Sequence, residues 1–173
     1  RGNPAQVLGE MLTLLEGSKR SRADAMELAY RKSVGEKVYV PENLYVIGTM
    51  NVADRSLALV DLALRRRFAF VSLGPCFNEA WMQWCEVKGL ATDDIARIKT
   101  AMETLNGEVT ADRALGPQFQ IGHSYFTPME TVRDASMWFA EVVETEIGPL
   151  LHEYWFDAPE RAKEATQKLL LQA

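Results

Sequence analysis

The chain has 173 residues, 47% of them hydrophobic and 25% charged, with a net charge of −5 at pH 7. That balance belongs to an ordinary globular chain and excludes a disordered tail, a collagen-like repeat and a chain-wide basic surface for nucleic acid. No apolar run approaches the roughly 20 residues that span a bilayer, no signal-peptide pattern opens the chain, and its two cysteines are too few for a disulfide scaffold.

Cys76 and Cys85 are therefore expected to be reduced thiols in a cytoplasmic protein. Only two histidines occur, His123 and His152, so no His/Cys cluster has metal-ligand spacing. The chain starts at Arg1 rather than Met, and a fragment or a processed product is expected.

Asn3, Pro4 and Gln6 suit the cap and first turn of a helix. Val7, Leu8, Met11, Leu12 and Leu15 then recur at helical spacing, with Gly17 as the stop. Residues 18–24 are polar and read as a loop. Met26, Leu28 and Tyr30 alternate, as do Val38 and Val40, with Gly35 between the two runs, and this predicts a β-hairpin. Leu44-Tyr45-Val46-Ile47-Gly48 is continuous, apolar and β-branched, and reads as a strand buried on both faces. A short helix carrying Leu57, Val60 and Leu64 ends in Arg65-Arg66-Arg67, and residues 68–73 read as a second strand stopped by Gly74-Pro75.

After Pro75 the pattern becomes helical. Helices are predicted over about 78–88 and over about 93–106, the latter opened by Thr92. Residues 107–128 read as irregular. A helix begins near Asp134 and is broken by Gly148-Pro149, residues 150–156 form a short helix, and Pro159 opens a last one that ends near Leu171. The expected fold class is α/β: a helix, a hairpin and two core strands over residues 1–75, then an all-α bundle over 76–173, mostly helical taken together.

Three places offer chemistry. Asn51 follows the first predicted core strand, and ligands of open α/β sheets gather at that end. Its amide donates and accepts, which suits a water or a phosphate oxygen, although an Asn there also simply closes a turn. Arg65-Arg66-Arg67 complements a helix dipole as a solvated cluster, or reaches a phosphate with its planar forks. Residues 118–126, Gln-Phe-Gln-Ile-Gly-His-Ser-Tyr-Phe, are too aromatic for a plain loop and read equally as a packed connector or a ligand contact. The adjacency of His123 and Ser124 is no sign of a nucleophile pair. There is no Gly-Lys dipeptide, hence no phosphate loop of the Gly-x-x-x-x-Gly-Lys type, and no Gly-x-Gly-x-x-Gly. The acidic stretch with Glu141, Glu144, Glu146, Glu153, Asp157 and Glu160 reads as a solvated helix face.

Taken together, these segments resemble the McrB-type AAA+ proteins. Residues 40–56, Val-Pro-Glu-Asn-Leu-Tyr-Val-Ile-Gly-Thr-Met-Asn-Val-Ala-Asp-Arg-Ser, resemble that family's first sensor region. Ala63-Leu64-Arg65-Arg66-Arg67-Phe68 is similar to its arginine-finger segment, and residues 119–126 to its second sensor region in the helical lid, with Gln120 where some relatives carry Arg. The resemblance covers essentially the whole chain. Arg1-Gly2-Asn3 resembles the tail of the segment carrying the Walker B acids, so the phosphate loop and those acids would precede this chain.

The resemblance implies the C-terminal half of a motor that hydrolyses GTP, or ATP, with Mg2+, as a hexameric ring. It implies a McrC-type nuclease partner, modified-cytosine DNA read by a separate N-terminal domain, and no membrane. Asn51 would orient water or touch the terminal phosphate. Arg66, with Arg67 beside it, would enter the neighbouring subunit's site. Asp54 and Arg55 would pair across the subunit interface, and His123, Ser124 and Tyr125 would couple the lid to nucleotide. This half alone is expected to hold no nucleotide firmly and to hydrolyse none. A MoxR-type remodelling ATPase and a non-catalytic ring scaffold are the alternatives.

Overall fold

In the computed structural model, residues 7–51 and 62–172 are described. The chain divides into two compact units, Arg1–Ser72 and Leu73–Ala173. The predicted cap at Asn3 and Pro4, and Val52 to Asp61, lie outside the described residues.

In the first unit the apolar spacing gives a short helix, α1 (Met11–Leu14), whose Leu12 and Leu14 are buried. Gly9, at φ +48°, interrupts the helical pattern just before it. The polar stretch that follows makes two 3₁₀ turns, Gly17–Lys19 and Arg22–Asp24. The predicted hairpin shrinks to one antiparallel bridge, in which Met26 and Val38 exchange both amide hydrogen bonds at 3.0 and 2.9 Å. Beyond that pair the two runs separate, because the turn is held by its own side chain. Glu36 Oε2 accepts from the amides of Lys32 (2.8 Å) and Ser33 (3.3 Å), and Tyr30 stands 99% exposed.

The two predicted core strands are not observed. Residues 44–48 and 68–73 carry no regular secondary structure and join no ladder among the described residues. Tyr45 is 82% exposed and Leu73 92%. A strand buried on both faces needs neighbouring strands and covering helices, and the described residues bring neither to these runs. Helix α2 (Leu62–Arg65) ends this unit's regular structure.

The second unit is all helix and turn. Helix α3 (Glu79–Val87) is capped by Asn78, whose side chain accepts from the Trp81 amide at 3.1 Å. It ends at Gly89, where φ is +97° and a Cβ would lie 2.8 Å from the Val132 carbonyl, so only glycine fits. Helix α4 (Thr92–Ala111) runs 20 residues, past the predicted stop at Gly107. One glycine costs a helix only about 1 kcal/mol, and the buried stripe Ile95, Ile98, Met102, Leu105 and Val109 carries α4 through. Helix α5 (Ala135–Val142) is capped by Asp134, which accepts from the Met137 amide at 2.9 Å.

Gly148-Pro149 does not break the chain of helices. A π turn, Val143–Ile147, leads directly into α6 (Gly148–Tyr154). Pro149 has no amide to donate to the Thr145 carbonyl, and the widened turn absorbs that missing bond. Gly148 is buried, and a Cβ there would meet Thr166 at 3.4 Å, so its smallness lets α7 (Pro159–Leu170) pack closely. The core of this unit joins α4 to Phe126, Phe139, Val143, Ile147, Leu151, Trp155, Ala162 and Leu169, all buried.

Two polar nodes tie the irregular stretch after α4 to this core. Asn106, 5% exposed, lies on the apolar stripe of α4. Its Nδ2 donates to the Ile121 carbonyl at 3.0 Å and its Oδ1 accepts from the Ile121 amide at 2.6 Å. At the end of α4, Asp112 accepts from the Ala114 amide (2.7 Å), the Trp155 indole (2.9 Å) and Arg161, which also lies over the Trp155 ring at 4.3 Å. The Ala114 amide, then the Trp155 indole and Arg161, hold the Asp112 carboxyl below its ordinary value.

Asn106→Ala strands two buried backbone groups and is expected to cost about 3 kcal/mol. Urea unfolding followed by tryptophan fluorescence measures it, and a loss under about 1 kcal/mol would show that Ile121 finds other partners. Because the Asp112 carboxyl titrates lower when folded than unfolded, its contribution is complete above the usual carboxylate range and is lost as pH falls through the folded value. Asp112→Asn is therefore expected to flatten the acid limb of the stability profile, and an unchanged acid limb would refute this.

Candidate functional site

The three consecutive arginines leave α2 as it closes, with the Arg67 and Phe68 amides both donating to the Leu64 carbonyl at 2.9 and 3.1 Å. Side chains on successive helical residues point in different directions, and the three meet different surroundings. Arg65 lies over the Phe70 ring at 6.0 Å. Arg67, only 17% exposed, pairs through Nη2 with Glu16 Oε1 at 2.5 Å. Arg66 is exposed and makes no ion pair among the described residues. Of the three, Arg66 is the guanidinium most open to an anion from another molecule. Asn51 is exposed after the run 44–50. Asp54 and Arg55 lie outside the described residues.

In the second unit, His123, Ser124 and Tyr125 occupy a 3₁₀ turn, His123–Phe126, with Gly122 before it. Both ends of this turn are fixed. On one side stands the Asn106 clamp on Ile121. On the other, Phe126 is fully buried, its ring 5.4 Å from Phe139, and its carbonyl accepts from the Trp81 indole at 3.1 Å.

The sequence places His123 beside Ser124, but among the described residues no hydrogen bond joins them. His123 Nδ1 instead accepts from the Cys76 amide at 3.1 Å, and its carbonyl accepts from the Thr127 hydroxyl at 2.8 Å. Ser124 is exposed. Tyr125 is half-buried, and burial, then Tyr125 and Glu153, push the Tyr154 hydroxyl above its ordinary value. Ser124 and Tyr125 line an open groove of about 380 Å³ with Trp138 and Glu146. Gln120 donates to the Thr110 hydroxyl at 2.9 Å.

Sequence reasoning missed Asn106 and Glu16. Asn106 was discoverable, being a lone polar residue four places after Met102 on an apolar stripe. Nothing in the sequence pairs Glu16 with Arg67, 51 positions away. Among the described residues no group of three or more His, Cys, Asp or Glu is placed to hold a metal ion. No helix among them is long and apolar enough to cross a membrane.

Comparison with known proteins matches both parts of the chain. The family described as "AAA domain (dynein-related subfamily)" matches residues 1–68. The family described as "McrB, alpha-helical lid domain" matches residues 97–163. The chain is 40% identical over 174 residues to the type IV methyl-directed restriction enzyme EcoKMcrB subunit of Escherichia coli K12, covering 98% of this chain and 38% of that protein. It is 29% identical over 136 residues to the type II restriction enzyme BsuMI component YdiS of Bacillus subtilis 168, covering 69% of this chain and 39% of that protein. The chain thus spans about two fifths of the length of these curated relatives.

The two thiols beside this site differ sharply. Cys85 is fully buried, and burial pushes its pKa up to about 11, whereas Cys76 is exposed. A thiol reagent at neutral pH is expected to label Cys76 quickly and Cys85 only after unfolding. Fast labelling of Cys85 in the native protein, read by mass spectrometry, would contradict that packing.

Proposed function

Since the chain is McrB-like, an AAA-domain segment followed by a McrB-type helical lid, we propose that it is the sensor, arginine-finger and lid portion of a GTP-driven restriction subunit. The observation that carries this reading is the 40% identity over 98% of the chain. In the proposed protein, nucleotide and Mg2+ are held chiefly by a phosphate loop and acidic pair outside this sequence. GTP is the expected nucleotide and ATP the alternative.

Phosphoryl transfer to water depends on positioning and on neutralising charge as the bond to the terminal phosphate breaks. Asn51 has the donor and acceptor to orient the water in its own subunit. Arg66, exposed and without an ion pair among the described residues, reaches the neighbouring subunit's phosphates in a hexameric ring. Arg67, held by Glu16, stands beside it and steadies the segment. Asp54 and Arg55 pair across the same interface, and the turn with His123, Ser124 and Tyr125 responds to nucleotide through the lid. The exposed apolar runs 44–48 and 68–73 are the strands of the nucleotide-binding sheet once that domain is whole. Bound nucleotide supplies the phosphoryl group, and the free energy of its hydrolysis drives a McrC-like nuclease on DNA with modified cytosine, read through a separate N-terminal domain.

The test is steady-state hydrolysis of GTP and ATP by the full-length protein across protein concentration. A GTP preference with cooperative dependence on concentration supports the reading, whereas an ATP preference favours a remodelling ATPase and no turnover favours a scaffold. Arg66→Ala in that protein is expected to lower kcat by about 10³-fold or more, the range of arginine fingers, while nucleotide affinity stays within a few-fold. An equal loss of affinity and rate would remove Arg66 from the finger role.

A further inference from the structure

The second unit opens with residues 73–77, which belong to no helix or strand. Leu73 is 92% exposed, yet four residues later Phe77 is 7% exposed. What seats this segment is the turn His123–Phe126, which receives it once directly and once through Trp81 of α3. At the first residue of the turn, His123 Nδ1 accepts from the Cys76 amide at 3.1 Å, across 47 positions of sequence. At the last, the Phe126 carbonyl accepts from the indole of Trp81, whose ring meets Phe77 edge-on at 5.0 Å. Phe77 also stands 6.1 Å from the His123 ring at 74°.

A ring nitrogen that accepts from a backbone amide carries no proton, so the neutral His123 ring holds its proton on Nε2. The imidazole therefore acts here as an acceptor of fixed tautomer, and its use is local: among the described residues the Cys76 amide has no second hydrogen-bond acceptor. The backbone that leaves Arg66 reaches the lid through this same segment.

We infer that His123 is a positioning residue whose Nδ1 latches residues 73–77 to the turn His123–Phe126. Movement of that turn is thereby passed along the backbone toward Arg66. The coupling half of this inference rests on the proposed triphosphatase reading; the latch itself does not.

The experiment uses the full-length protein with His123→Ala, His123→Asn and His123→Gln. Asn places an amide oxygen near the position of Nδ1, and Gln places it one bond further out. Hydrogen exchange at the Cys76 amide is expected to quicken about tenfold in the Ala and Gln variants, the factor set by one net hydrogen bond, and to return to near wild type in the Asn variant. The kcat for GTP is expected to follow the same order, with KM little changed. Cys76 exchange that is the same in all four proteins overturns the latch. Faster exchange with unchanged kcat overturns the coupling. A wild-type protein that hydrolyses neither GTP nor ATP overturns the triphosphatase reading and the coupling with it, while the exchange rates still decide the latch.

Discussion

The lid is organised around one amide. Asn106 stands in the middle of α4 on a face otherwise made of Ile, Met, Leu and Val, and it is 5% exposed. A polar group in that position is costly unless every bond it can make is made. Asn106 meets the condition by binding both backbone groups of Ile121, as a neighbouring strand would. The irregular stretch after α4 thereby gains the ladder contact it lacks, and Ile121 itself is buried to 1%. The next residues are Gly122 and the turn His123–Phe126, so the placement of the candidate lid residues follows directly from this contact.

A second polar node closes the same stretch from the other end. Asp112 turns the chain out of α4 and collects the Ala114 amide, the Trp155 indole and Arg161. It joins the end of α4 to the end of α6 at Trp155 and to Arg161 of α7. The two nodes have different consequences. The Asn106 clamp is neutral and works at any pH, whereas the Asp112 node requires an ionised carboxyl. Between them, a connector with little regular structure is tied by side-chain hydrogen bonds to α4, to the end of α6 and to α7.

The sequence was most legible where local chemistry decides the outcome. The helices expected from about 78 and from near Asp134 begin there, one residue after the caps Asn78 and Asp134 that the structure shows, and the last helix begins at Pro159. It was least legible where the outcome depends on distant partners. Residues 44–48 have the composition of a buried strand, but composition cannot supply the neighbouring strands a ladder requires. The bridge between Met26 and Val38 shows the same limit, since the pairing is right and its length is set by Glu36 capping the turn. A helix end near 106 and a break at Gly148-Pro149 were expected, yet burial of the flanking apolar residues carries the helices through both places. The family resemblance was legible because it rests on runs of adjacent residues rather than on any of these tertiary outcomes.

The candidate residues illustrate how neighbours in sequence come to differ in capacity. Three arginines in a row carry equal charge, and charge and spacing alone do not rank them; the resemblance points to Arg66 with Arg67 beside it. Arg65 is drawn to an aromatic face, Arg67 to a carboxylate, and Arg66 is left exposed. The same reasoning separates His123 from Ser124. One ring nitrogen of His123 already serves the Cys76 amide, so that atom is not available as a base toward Ser124. A guanidinium or imidazole acts on a ligand only with the donors and acceptors its own fold has not used. Under that criterion, of the three arginines, Arg66 is the one exposed without an ion pair or ring contact among the described residues, and the part of His123 that the fold has already used is its grip on the segment leading into the lid.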